Sequence, residues 1–287
     1  MTLTETAPRQ SERTTVSATG LLITEKWSAG GQEGLVRTLG DSAPLPFSSA
    51  VLEPQQKQAS VLVWGRGNIQ ERFYPLTKHT PLYNYLIETE VQDSLDYRTI
   101  GKAWGSALRE MHQLPVLGEA PPTSCTPRTA VRSYHWLNDE GWEHLTKVLV
   151  TEHFEKLRQW IEAVTRGENL AVSHGNAGFI NWLISADQVT GVLLTGEDVG
   201  YAQPEYDTGW VLGEFAELYA FYPNLRLKLT DLQQGFLTGY GDFTENNLNS
   251  AIAFRLIHHA YDWHHYAGAN LQAAQLLIDL ATNYLDR

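Results

Sequence analysis

The hydrophobic period of this chain changes once, near Leu82, and that change limits the fold more than any other feature. Before it, apolar residues come in short runs separated by glycine-rich turns. Leu21–Thr24 and Leu35–Leu39 flank Ser28-Ala29-Gly30-Gly31-Gln32-Glu33-Gly34, and Ser49–Leu52 forms a third run. Ser60–Trp64 and Ile69–Pro75 flank Gly65-Arg66-Gly67-Asn68, which predicts a hairpin turn. After Leu82 the period is helical. Ile100, Ala103, Trp104, Ala107, Leu108 and Met111 share one helix face, so a helix is expected over Tyr97–His112. Further helices are expected at Thr129–Trp136, Trp142–Thr165, Glu205–Tyr222, Leu225–Tyr240, Glu245–Tyr266 and Leu271–Leu285. Leu170–Val172, Asn181–Ile184 and Val192–Leu194 have the length of short strands, with a turn at Asp187-Gln188-Val189-Thr190. The class is α+β, with a small antiparallel β-rich unit over 18–76 and a larger, mainly helical unit over 77–287. Residues 1–17 are polar and are expected to be a disordered tail.

Composition narrows the function classes. The 287 residues suffice for one large domain or two lobes around a cleft. No apolar run approaches the roughly 20 residues that span a bilayer. The polar N-terminus lacks the order of a signal peptide. The single cysteine, Cys125, excludes an internal disulfide and fits a cytoplasmic setting. A net charge of −12 argues against nucleic acid as partner. It suits a cationic small molecule or a basic peptide steered to an acidic cleft, or it serves only to keep the protein in solution.

The stretch from Leu170 to Trp210 reads LAVSHGNAGFINWLISADQVTGVLLTGEDVGYAQPEYDTGW. It resembles the aminoglycoside phosphotransferase pattern. That pattern is a strand, His-Gly-Asp, four residues, Asn, a strand pair, Asp, and then a helix opened by Pro-x-x-Asp. Protein kinases share the layout. Ile100-Gly101-x-x-x-Gly105-x-x-Leu108-x-x-Met111-His112-x-Leu114-Pro115 also resembles a segment of the family. The resemblance covers roughly residues 97–266 and implies a bilobal, protein-kinase-like fold.

The resemblance also implies roles. His174 and Gly175 match the catalytic loop, and Asn176 stands where the family has its base aspartate. Asn181 matches the metal-binding asparagine, and the metal aspartate falls on Thr195 counting back from Glu197-Asp198-Val199-Gly200-Tyr201 or on Leu194 counting forward from Gly191, neither of them acidic. Glu197 and Asp198 are acidic neighbours that a local shift would bring into that place. Pro204 and Asp207 match the motif that braces the loop, and His174 is assigned the same supporting role. An asparagine has no useful basicity, and losing a general base costs about 10²–10⁴-fold in rate. Losing an anionic ligand weakens Mg²⁺ binding. In the small unit the third run carries no lysine, and Glu53–Ala59 is too short for the helix that would supply its glutamate partner. Gly30, Gly31 and Gly34 either cover phosphates or simply make a turn.

Three further groups stand out. His258, Asp262 and His265 fall on one helix face, as metal ligands, as contacts to a substrate or peptide, or as an ordinary polar face. Glu88, Glu90, Asp93 and Asp96 form an acidic run. Cys125 has no neighbouring histidine to make it a nucleophile. The leading expectation is a pseudokinase that needs no cofactor and binds a peptide, small molecule or partner protein. The resemblance supplies one setting, a complex with a partner enzyme in making ribosomally derived modified peptides. The alternatives are an active, ATP- and Mg²⁺-dependent phosphotransferase acting on a hydroxyl, or a cleft turned to other chemistry by its histidine-rich helix. No membrane role is expected.

Overall fold

The computed structural model describes residues 12–29, 31–49, 61–76, 78–87, 95–116, 125–138, 149–185, 191–242, 248–266 and 271–287. The N-terminal lobe is built on a five-stranded antiparallel sheet. Its strands are β1 (Glu12–Ala18), β2 (Leu22–Ala29), β3 (Gln32–Leu39), β5 (Arg66–Gly67) and β6 (Glu71–Tyr74), in the order β1-β2-β3-β6-β5. The expectation of a disordered tail fails for residues 12–17, which form β1 and pair with Ser28–Thr24 of β2. Every β1 residue is exposed, so the strand has no apolar alternation to betray it. Its Thr and Val residues favour extended backbone, and pairing with β2 does the rest. The expected run Ser49–Leu52 is not a strand at Ser49, and its remainder lies outside the described residues. So do Glu53–Ala59, on which the missing-helix expectation rested.

The expected hairpin at Gly65–Asn68 is also corrected. The chain changes sheets at Gly65, whose N–H donates to Thr195 O at 2.8 Å. Just before it, β4 (Leu62–Trp64) pairs in parallel with β10 (Gly191–Thr195) of the other lobe. Just after it, β5 pairs with β6. The turn is placed by Asn68, whose Oδ1 accepts from the amides of Gln70 and Glu71 at 2.7 and 3.0 Å. Strand β4 therefore stitches the first lobe onto the second.

The C-terminal lobe holds a four-stranded sheet, β4-β10-β9-β7, and a two-stranded one, β11-β8. Here β7 is His79–Pro81, β8 Ala171–Ser173, β9 Trp182–Ser185 and β11 Gly200–Ala202. Its helices are α1 (Leu82–Ile87), α2 (Tyr97–His112), α3 (Arg128–Asn138), α4 (Thr151–Arg166), α5 (Glu205–Phe221), α6 (Arg226–Tyr240), α7 (Leu248–Tyr266) and α8 (Leu271–Leu285). The expected helices agree closely, α2 and α8 to the residue. The first part of the expected Trp142–Thr165 helix and the turn at Asp187–Thr190 lie outside the described residues. Helix α2 is capped by Asp96, whose carboxylate accepts from the Thr99 amide at 3.0 Å and its hydroxyl at 2.6 Å. That is the role of the one member of the acidic run within the described residues. The core closes around Trp104, whose ring meets Phe179, Trp182, Phe215 and Phe236.

A candidate ligand cleft and its loop

The loop between β8 and β9 is held from three directions. Its backbone turns at Gly175, φ +81°, where a Cβ would lie 2.2 Å from Asp198 O, so only glycine fits. Asp207, in the first turn of α5 and wholly buried, accepts from the amides of His174 and Gly175 at 2.7 and 2.9 Å. It is also bonded by His112 Nε2 at 3.0 Å, while Tyr240 OH lies 2.7 Å from His112 Nδ1. Burial alone would raise the Asp207 carboxyl, but His112 and His174 together outweigh it and the net shift is downward. The His174 ring accepts the Asn176 amide at Nδ1 and so donates from Nε2 to Leu194 O at 2.6 Å. Burial lowers its pKa and keeps it neutral, as that arrangement requires. From α3, Thr129 Oγ1 donates to Gly175 O.

A second carboxylate, which the sequence reading missed, holds the far end of the loop. Glu214 lies two turns beyond Asp207 on α5 and accepts from the Phe179 amide at 2.7 Å. Its other oxygen accepts from Arg255 of α7 at 2.8 Å. A Cβ on Gly178 would lie 2.2 Å from Glu214 Oε1, so this glycine makes room for the brace. The i, i+7 spacing of two carboxylates on one helix was the available signal.

The positions tied to chemistry behave differently. Asn176 is half-buried, and its carbonyl accepts from Asn181 Nδ2 at 2.6 Å. Asn181 Oδ1 accepts from Arg37 Nη1 of β3, again at 2.6 Å. Thr195 closes β10 with its hydroxyl turned to Met111 Sδ, 4.0 Å away in the core. Glu197 forms a buried ion pair with Arg37 at 3.2 Å and accepts from Tyr74 OH at 2.6 Å. Asp198 is paired with Arg128 at 2.6 Å. Burial pushes the Asp198 carboxyl up, Arg128 with Arg132 and His174 pulls it down, and the pull wins. The chain after β3 packs across these pairs. Ser48 N donates to Glu197 O, Arg128 reaches Leu45 O, and the Arg128 guanidinium covers the Phe47 ring.

These residues do not fit the divalent cation that the kinase-like fold implies. The Asn181 oxygen is taken by a guanidinium, Thr195 offers no anion, and both neighbouring carboxylates are paired with arginines. Among the described residues, no three His, Cys, Asp or Glu side chains are grouped to hold a metal. The expected shift of Glu197 or Asp198 into the metal place is therefore not seen. Arg37 lies on β3, ahead of the Ser49–Leu52 run in which the sequence places the lysine-bearing strand. The signal was an arginine inside Leu35-Val36-Arg37-Thr38-Leu39, a strand with apolar residues on both sides of it.

A recess of about 470 Å³ lies between the β1–β3 sheet and the linker to α1, and is lined by Trp27, Leu35, Leu76, Lys78 and Tyr85 among others. Gly31, φ +81°, makes the β2–β3 turn. Gly34 leaves space for Trp27, whose Nε1 would be 2.3 Å from an added Cβ. Gly30 lies outside the described residues. A polar and aromatic cluster gathers residues of α1, the end of α5 and α7. Tyr83 OH and Tyr222 OH are 3.4 Å apart, and burial together with Tyr222, Glu217 and Glu214 raises the Tyr83 pKa. Glu217 bonds His259 Nδ1 at 2.7 Å, and the His259 ring lies against Trp263. Burial would raise the Glu217 carboxyl, yet His259 and Arg255 hold it below its usual range.

Of the trio expected on α7, only His258 and Asp262 meet, with Nε2 3.4 Å from Oδ2. His258 is buried and faces Ser133 Oγ at 2.5 Å and Arg132, and Asp262 accepts from Arg132 at 2.8 Å. His265 is exposed, stacks on Tyr261 and bonds its carbonyl at 3.0 Å. Cys125 is half-buried.

No family model matches the sequence, and no curated protein does. Solved structures do match in fold. Aminoglycoside phosphotransferase APH(4)-Ia superposes with a TM-score of 0.61 over 96% of this chain and 93% of its own, at 12% identity. An ethanolamine kinase from Plasmodium vivax gives 0.55 over 98% and 82%, at 14% identity. Spectinomycin phosphotransferase APH(9)-Ia, solved with ADP and spectinomycin, gives 0.51 over 96% and 92%, at 10% identity. The fold is thus the bilobal, kinase-like one of the aminoglycoside phosphotransferases. No described helix is long and apolar enough to cross a membrane.

Proposed function

We propose that this chain is a pseudokinase, a kinase-like fold that binds a ligand in its cleft without efficient phosphoryl transfer. One observation carries the reading. The loop keeps its full frame, from Asp207 through Glu214, while the two positions that would do chemistry hold Asn176 and a Thr195 turned into the core. The ligand supported best is a cationic small molecule or basic peptide. The net charge of −12 supports that class, because an acidic protein steers cations towards itself. A complex with a partner enzyme acting on that peptide is the setting the resemblance supplies.

The test is phosphoryl transfer from ATP with Mg²⁺, measured as ADP release over a panel of aminoglycosides, small amines and basic peptides. The wild type is expected to stay at background. Turnover at about 1–100 s⁻¹, ordinary for kinases, would overturn the reading. The pair Asn176→Asp with Thr195→Asp is expected to remain silent too, because Arg37 still holds Asn181.

A further inference from the structure

A buried positive charge already sits where the lobes meet. Arg37 Nη1 is 2.6 Å from Asn181 Oδ1 and 3.2 and 3.3 Å from the two Glu197 oxygens. Its Nη2 is 3.4 Å from Ile180 O. Tyr74 OH orients the carboxylate from behind at 2.6 Å. The acceptors named are all oxygens, one carboxylate, one amide and one carbonyl. That is the donor set of a hard cation, and a guanidinium 98% buried stands at its centre.

We propose that Arg37 is the resident cation of this junction, standing in place of a divalent metal, so that the cleft binds its ligand without metal. The inference rests on the proposed function and deepens it. Charge supports it first. The single Glu197 carboxylate is already neutralised, so the cluster offers a divalent ion no net attraction. Position supports it next. Leu35 lines the 470 Å³ recess, and Arg37 is the next residue on that face of β3, one pleat or about 7 Å along. Arg37 itself is buried behind that lining and stays tied to its carboxylate. Displacing Arg37 would strand a buried guanidinium, whose remaining Nε already lacks a hydrogen-bond partner.

The test uses the full-length chain and Mn²⁺ as probe, by calorimetric titration and thermal shift. Wild type and Arg37→Lys are expected to show no Mn²⁺ binding. Arg37→Ala is expected to bind Mn²⁺ at least about tenfold more tightly than wild type, with a Tm that rises with metal. Adding Glu197→Gln to Arg37→Ala should abolish the gain. Mn²⁺ binding by wild type equal to that of Arg37→Ala would overturn the inference, as would no gain in the variant. If Arg37→Ala does not fold unaided, it is refolded with and without Mn²⁺. Recovery only with metal supports the inference, and recovery in neither overturns it. Phosphoryl transfer by wild type would end the proposed function, whereas Mn²⁺ binding without transfer would end this inference alone.

Discussion

His258 shows how a residue chosen from a sequence pattern can turn out to serve something else. Ser133 Oγ donates to Thr129 O at 3.0 Å, so it accepts from His258 Nδ1, leaving Nε2 as acceptor for Arg132. That arrangement requires a neutral ring. Burial, with Arg132 acting against Asp262, lowers its pKa to about 4. The sign follows directly. The folded state binds a proton less readily than the unfolded chain, so this stability is whole above about pH 6.5 and is lost as pH falls towards 4. A shift of this size corresponds to about 3 kcal/mol, with buried His174 acting in the same direction. Urea unfolding between pH 7 and 4 should show the loss, and His258→Gln should flatten part of the slope. An unchanged slope in the variant would refute the assignment. Histidine spacing on α7 was legible in the sequence. Its neighbours on α3 were not, because they lie about 125 positions away, as His258 and Ser133 do.

At the scale of elements, helices were easier to read than strands. The α2 periodicity is a property of sixteen adjacent residues, so it needs no partner to be visible. β1 and the sheet change at Gly65 depend on distant partners, β2 in one case and β10 in the other. The α2–α6 contact shows what packing adds to a correct helix. Gly101 and Gly105 face Gly235 and Gly239 so closely that a Cβ on any of the four would lie 2.0 or 2.1 Å from the partner's carbonyl oxygens. The helices touch backbone to backbone. Gly105→Ala should therefore cost about 1–3 kcal/mol by overpacking, despite alanine's better helix propensity. Denaturant unfolding followed by circular dichroism measures it. A variant as stable as wild type would show that the helices separate easily.

At the scale of the molecule, the lobes are joined by more than a hinge. Strand β4 pairs with β10, Ser48 and Arg72 bond the backbone at Glu197 and Gly196, and Arg37 meets Glu197 in the interior. Breaking a buried pair by removing one partner costs about 3–5 kcal/mol. Glu197→Gln should therefore destabilise the protein by about that amount, and hydrogen exchange should show β3 and β10 losing protection together. Loss confined to one lobe would mean that the pair does not couple them. The sequence by itself determined the two-part α+β plan, the helix positions and the departures at Asn176 and Thr195, since each is written in neighbouring residues. Only the tertiary structure decided which residues meet where the lobes join. Arg37, Asn181 and Glu197 span 160 residues, and a buried charge is partnered by proximity in space, which no local pattern records.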